Sequence, residues 1–339
     1  MTGTPHLVLT DVSKTYTVQR QGMGQPLQQV RAVDNVSLHV NTGETLGLVG
    51  ESGCGKSSLA RLILRLEEPS RGDITIGGQN IAQLSGRALK RARRNFQMIF
   101  QDPYASLNPR MKVRAIIAEA MRNFRLGSAA EINNRVERLA EQVGLGAYHL
   151  DRFPHELSGG QCQRIGIARA IALSPQLIVA DEPVSALDVS IQAQILNLIT
   201  RLQSELNLTL VFISHDLSVV SHVADRVAVM YLGRIVETGP TDTIFDRSAH
   251  PYTQTLLAAV PRPLPAYRHA RTGVKGELPS PLNPPSGCHF RTRCPLAVDR
   301  CASEVPALRD IGRGQQAACH RAEDVLATSS TPATEPSHA

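Results

Sequence analysis

One stretch constrains this chain more than any other: Gly50-Glu51-Ser52-Gly53-Cys54-Gly55-Lys56-Ser57. It has the form G-x-x-x-x-G-K-S. Before it, Thr45-Leu46-Gly47-Leu48-Val49 is a short apolar run suited to a buried strand. After it, residues 58–66 carry Leu59, Leu62, Ile63 and Leu66 on one helical face. A strand, a glycine-rich turn and a helix in this order wrap backbone N–H groups around an anion, and the helix N-terminus adds partial positive charge. Lys56 supplies a point charge for the outer phosphates of a nucleotide, and Ser57 a hydroxyl for Mg²⁺. A glycine-rich turn alone is ordinary; with the strand, Lys-Ser and the helix it reads as a phosphate-binding loop.

A second apolar run, Leu177-Ile178-Val179-Ala180, ends in adjacent carboxylates, Asp181 and Glu182. At the C-terminal end of a strand they would sit beside the phosphate loop. Asp181 is then placed to hold Mg²⁺ through water, and Glu182 to polarise an attacking water as general base. Leu157-Ser158-Gly159-Gly160-Gln161 opens a helix predicted to run from 161 to 173. Ser158 reads as its N-cap, and the two glycines as bare N–H groups facing a second anion.

Between these motifs, strands alternate with helices. Helices are expected over 161–173 and 190–206, and strands over 97–101, 177–180 and 208–213, which implies right-handed βαβ units and a parallel sheet. Strand-like alternation over 6–18 and 30–40, with a further strand at 73–78, predicts a β-rich subdomain interrupted by a polar loop at 19–29. Residues 102–157 read as a helical insertion, and 226–238 as a hairpin around Gly233.

With 339 residues the chain has room for about two domains. No run of 18 apolar residues would span a membrane, and the N-terminus lacks a signal-peptide layout, so a cytoplasmic protein with reduced thiols is expected. A net charge of +6 suits a nucleotide binder, a protein facing anionic lipid or a nucleic-acid binder, without choosing. The basic run at 87–94 reads as a solvated helix face. Beyond residue 260 prolines accumulate. Residues 261–285 read as a linker, 286–321 as a small cysteine-containing module, and 322–339 as a disordered tail.

The ordered set GESGCGKSS, Gln101, LSGGQ, ADEP, SALD and His215 resembles the nucleotide-binding subunit of ABC transporters, over about residues 5–260. The resemblance implies an α/β fold: an ABC-type P-loop NTPase core with an antiparallel β subdomain and a helical insertion, followed by the C-terminal module. It implies two subunits paired head to tail, each ATP lying between the phosphate loop of one and LSGGQ of the other. Carried onto this chain, Tyr16 would stack on adenine. Gly50, Ser52, Gly53, Cys54, Gly55, Lys56, Ser57 and Ser58 would hold phosphates, with Ser57, Gln101 and Asp181 around Mg²⁺. Gln101 would also report to the membrane partner. Glu182 would be the base, His215 would bond the γ-phosphate and Asp188 would line the dimer contact. Ser158, Gly160 and Gln161 would complete the partner's site. Cys162 departs from the pattern, and an oxidation-sensitive spot is expected there.

Residues 101–110, 250–254 and the cysteine region are similar to the dipeptide/oligopeptide importer branch; residues 19–34 and 184–194 resemble its second ATPase, the F type. That resemblance implies a sibling ATPase, two permeases, an extracytoplasmic binding protein and a peripheral place on the cytoplasmic face of the inner membrane, with no nucleic acid. Related importers of nickel or glutathione are the alternative, and a soluble ABC-type ATPase acting on ribosomes or nucleic acid a more distant one. The spacing of Cys288, Cys294, Cys301 and Cys319 matches neither a CxxC zinc site nor a ferredoxin repeat, and leaves metal and free thiols open. The resemblance implies a [4Fe–4S] cluster on these four residues. Zinc would add His289 or His320.

Overall fold

The computed structural model describes residues 4–18, 27–259 and 277–329. Most of the expected loop at 19–29 and of the linker at 261–285 lies outside them. In chain order the elements are β1 (Pro5–Val18), β2 (Gln28–Asn41), β3 (Thr45–Val49), α1 (Lys56–Ile63), β4 (Arg71–Ile76), β5 (Gln79–Asn80), α2 (Gly86–Ala92) and β6 (Phe96–Ile99). There follow α3 (Val113–Asn123), α4 (Ala129–Gln142), α5 (Gly159–Ile171), β7 (Leu177–Asp181), α6 (Val189–Leu206), β8 (Thr209–Ser214) and α7 (Leu217–Val223). The chain continues with β9 (Arg226–Tyr231), β10 (Arg234–Pro240), α8 (Thr241–Asp246), α9 (Pro251–Ala258), α10 (Arg300–Ser303), β11 (Arg309–Asp310), β12 (Gln316–Ala317) and α11 (Ala322–Ser329).

One sheet has the order β11-β12-β10-β9-β3-β8-β7-β6. Its five strands from β9 to β6 are parallel. They are predominantly apolar because both faces are covered, as parallel sheets require. The pleat then sorts the side chains. Leu46, Leu48, Val179, Val211 and Met230 face α1 and the antiparallel sheet β2-β1-β4-β5. Ile178, Ala180, Leu210, Phe212 and Val229 face the other way, into a core shared with α3, α4, α5 and α6. The phosphate loop leaves the C-terminal end of β3, between β8 and β9, and β7 ends next to β8.

The region after 285 is joined to the core sheet: β12 pairs antiparallel with β10, through Glu237 with Ala317 and Thr238 with Gln316. One C-terminal expectation changes. The tail expected to be disordered from Ala322 begins as helix α11. Ala322, Val325 and Leu326 are spaced to share one helical face, and all three are buried; Ala322 and Leu326 pack in a small apolar cluster with Ala249 and Ala317. That spacing of three apolar residues outweighs the Ser/Thr/Pro composition around them.

Candidate nucleotide site

The phosphate loop bends where glycine alone fits. Gly50 and Gly55 have φ of 154° and 110°, and a Cβ on them would meet the Met230 carbonyl oxygen at 2.2 Å and the Ala32 carbonyl oxygen at 2.1 Å. The second of these contacts comes from β2, so the antiparallel sheet backs the loop. The β9–β10 hairpin does too, since the Gly233 N–H donates to the Cys54 carbonyl at 2.8 Å. Helix α1 starts at Lys56, two residues before the sequence expectation, and Gly55 gives it no side-chain cap. Its first N–H groups are therefore left for a ligand. Lys56 is buried, and its ammonium donates to the Gly50 and Glu51 carbonyls at 2.8 and 3.0 Å.

The acidic pair at the end of β7 comes to the same place. The Ser57 hydroxyl donates to Asp181 Oδ1 at 3.2 Å. Burial holds the Asp181 carboxyl above the usual range, against the pull of that hydrogen bond. Glu182 turns back with φ 45°, a left-handed conformation uncommon for a side chain of its kind, and its N–H is fixed on the Ile213 carbonyl at 3.0 Å. Its carboxylate points at two other motifs. Gln101 Nε2 donates to Oε2 at 2.9 Å, and His215 Nδ1 lies 3.2 Å from Oε1.

Gln101, Glu182 and His215 line one cavity of about 420 Å³ together with Ser52, Gly53, Cys54, Gly55, Lys56, Ser57 and Ser58. Val30, Arg31, Ala32, Leu232, Gly233 and Pro281 complete its wall, and none of these six was singled out as a site residue by sequence. Ser57, Asp181 and Gln101 offer the hard oxygens that Mg²⁺ takes alongside water and nucleotide phosphates. The donor set fits that ion, whose role when bound is to neutralise phosphate charge.

The remaining expected residues lie elsewhere. Tyr16 sits outside that cavity; its hydroxyl bonds Glu67, and Lys14 Nζ stands 5.2 Å above its ring. Ser158, Gly160 and Gln161 do not line the cavity either. They are tied to each other. The Ser158 hydroxyl accepts from the Gln161 N–H at 3.4 Å, while Gln161 Oε1 accepts from the Ser158 N–H at 2.9 Å. This is a full capping box. Gly160 has no room for a side chain, because a Cβ would meet Ile191 Cγ2 at 2.6 Å. Asp188 is exposed at the start of α6.

Two cysteine expectations are revised. Cys162 is fully buried, and burial pushes its thiol up to about 11. Its reactive thiolate is thereby suppressed, which removes the expected oxidation sensitivity. The [4Fe–4S] site finds no support. Among the described residues no group of three or more His, Cys, Asp or Glu is arranged to hold a metal ion. Cys288 and Cys294 pack on the main core and Cys319 on the apolar cluster beneath α11, and these three and Cys301 lie close enough to act on one another electrostatically. Burial raises the Cys288, Cys294 and Cys319 thiols, Cys319 to about 12. His320 Nε2 lies on the Glu304 carbonyl at 3.1 Å, and burial lowers the His289 pKa.

A strand-loop-helix phosphate cradle facing an acidic strand end is the site of a P-loop nucleotide hydrolase. Residues 33–185 match the family described as "ABC transporter", and residues 236–301 match "Oligopeptide/dipeptide transporter, C-terminal region". The chain is 52% identical over 314 residues to the "Probable peptide ABC transporter ATP-binding protein y4tS" of Sinorhizobium fredii, covering 93% of this chain and 89% of that protein. It is 50% identical over 317 residues to the oligopeptide transport ATP-binding protein AppF of Bacillus subtilis, covering 93% and 96%. Among solved structures, the ATP-binding cassette MJ0796, a dimer in a post-hydrolysis state bound to ADP and Pi, superposes with a TM-score of 0.62 at 29% identity over 69% of this chain and 98% of that one. The chain belongs to the ATP-binding subunits of peptide ABC transporters, and like the family it is an ATPase.

Proposed function

We propose that this subunit hydrolyses ATP to drive import of di- or oligopeptides through membrane permeases. The observation that carries the site reading is the convergence of Gln101 and His215 on the Glu182 carboxylate, beside the phosphate loop. In the proposed reaction the N–H groups of the loop and Lys56 hold the ATP phosphates, and Tyr16 moves onto adenine. Glu182 takes a proton from a water whose oxygen attacks the γ-phosphorus, as the bond to the β-phosphate oxygen breaks. His215 donates to the γ-phosphate, and Gln101 orients the water. Ser158, Gly160 and Gln161 act on the ATP held by the other subunit, which accounts for their place outside the cavity.

The peptide assignment rests on the names of relatives such as AppF and on the C-terminal match. A second cavity, of about 690 Å³, shares Gln101 and Asp181 with the hydrolysis site and is lined by the exposed apolar side chains of Leu66 and Phe100. Its proposed occupant is a permease segment, whose movement would reach the hydrolysis site through Gln101. Among the described residues no helix is long and apolar enough to cross a membrane, which suits a peripheral subunit on the cytoplasmic face. The proposed assembly contains a sibling ATPase, two permeases and a substrate-binding protein.

Purification of the tagged chain from detergent-solubilised native membranes tests this. The expected result is co-purification of two multi-span permeases and a second ATPase. Recovery with ribosomes or DNA from the soluble fraction would overturn the transport reading.

A further inference from the structure

Glu51 is the second residue of the phosphate loop, and the nucleotide chemistry described above gives its side chain no task. It is nevertheless tightly held. Arg293 grips its carboxylate with both arms of the guanidinium, Nη1 to Oε2 at 2.7 Å and Nη2 to Oε1 at 3.0 Å. The Arg293 side chain is only 5% exposed. Its Nη1 also reaches the Tyr231 hydroxyl at 3.4 Å. The backbone of Glu51 is held as well: its N–H donates to the buried Tyr252 hydroxyl at 2.9 Å, and its carbonyl accepts from Lys56 Nζ at 3.0 Å.

The grip comes from a rigid part of the C-terminal region. Phe290, three residues before Arg293, is buried with its ring 5.3 Å from Tyr231, 5.4 Å from Tyr252 and 5.8 Å from His250. The Arg293 N–H closes a turn on the Phe290 carbonyl at 3.0 Å, and the Cys288 N–H is fixed on the Cys301 carbonyl at 2.8 Å. The guanidinium is therefore placed by packing before it meets Glu51. A planar fork on a carboxylate fixes direction as well as charge.

A carboxylate within a loop that gathers phosphates works against the loop. Left alone, it would repel the bound polyanion through a partly buried, weakly screened space. We propose that Arg293 is a positioning residue of the nucleotide site: by neutralising and pinning Glu51, it lets the phosphate loop accept ATP, and so ties nucleotide affinity to the C-terminal region. This deepens the ATP-site reading and rests on it.

Equilibrium binding of Mg–ATP to the full-length chain at low salt tests the proposal, with melting temperature as the check on folding. Arg293→Met should weaken binding by about tenfold, the scale of one uncompensated charge near the phosphates. Adding Glu51→Gln to Arg293→Met should recover most of that loss, and Arg293→Lys should fall between wild type and Arg293→Met. The loss should shrink in high salt, which a packing defect alone would not produce. Glu51→Gln alone should tighten binding, by roughly threefold, because the fixed positive charge is then uncancelled. Wild-type affinity in Arg293→Met, or no recovery in the double variant, overturns the proposal. So does a Glu51→Gln variant that binds as poorly as Arg293→Met. If Arg293→Met does not fold, the Glu51→Gln and Arg293→Lys results decide. An unmodified chain that binds no ATP would instead refute the nucleotide-site reading itself.

Discussion

Helices α1 and α5 each have glycine at their start, and they begin differently. At α1 the N-cap is Gly55, held in a left-handed turn with no side-chain cap, and a buried lysine follows at once. At α5 the N-cap is Ser158, and Ser158 and Gln161 satisfy each other's backbone donors in a capping box. The first start has open N–H groups, a cation and the Glu182 carboxylate at one cavity, with the Asp181 carboxylate hydrogen-bonded to Ser57 beside it. The second is closed on itself, with the Gln161 amide also resting on His149 Nε2 at 3.1 Å. The first is thus a nearly complete nucleotide site. In the proposed reaction the second acts on a nucleotide held by the other subunit, and part of its capping box would be exchanged for that contact.

Substitutions can sharpen or break this contrast. Glu182→Gln should bind ATP normally and lower turnover by at least about a hundredfold, the lower range for loss of a general base; steady-state ATPase activity of the assembled transporter measures it. Surviving turnover would show that Glu182 is not the base. Lys56→Ala should weaken ATP binding by about a hundredfold, the scale of removing a charge-assisted hydrogen bond from a buried site. Retained affinity in a titration would dissolve the distinction between the two helix starts. The smallest effect is expected for Ser158→Ala. Loss of an N-cap destabilises by about 1 kcal/mol, read as a lowered melting temperature. Intrinsic ATP binding should be unchanged, because Ser158 lies outside the cavity, while ATP-driven pairing measured by light scattering should be lost. If binding falls as well, the two starts are not separate sites.

The motifs were readable because their chemistry demands neighbours in sequence: a phosphate loop needs its glycines, Lys56 and Ser57 within one turn, and β7 needs an apolar run ending in acids. The helix boundaries moved by one or two residues, as at Lys56 and Gly159, because capping geometry sets them. The cysteines stayed open. Their spacing permitted a metal or free thiols; the fold brings Cys288, Cys294, Cys301 and Cys319 close enough to act on one another electrostatically, yet among the described residues no group of three or more His, Cys, Asp or Glu is arranged to hold a metal ion. His250 and Tyr252 could be read only as part of a resemblance; the structure gives them work, His250 capping α9 and Tyr252 holding Glu51.

By itself the sequence determined the phosphate chemistry, the parallel sheet and the order of motifs, since each depends on local spacing and on alternation of apolar residues. Only the tertiary structure decided which distant residues meet. Gln101 and Glu182 are 81 positions apart, and Arg293 and Glu51 are 242 apart. No local pattern encodes such pairs, because they are set by where the packed core brings the ends of strands together. The same holds for β12 on β10 and for α11: a two-residue strand and a short helix gain their stability from the surface they cover, and that surface exists only once the rest of the chain has folded.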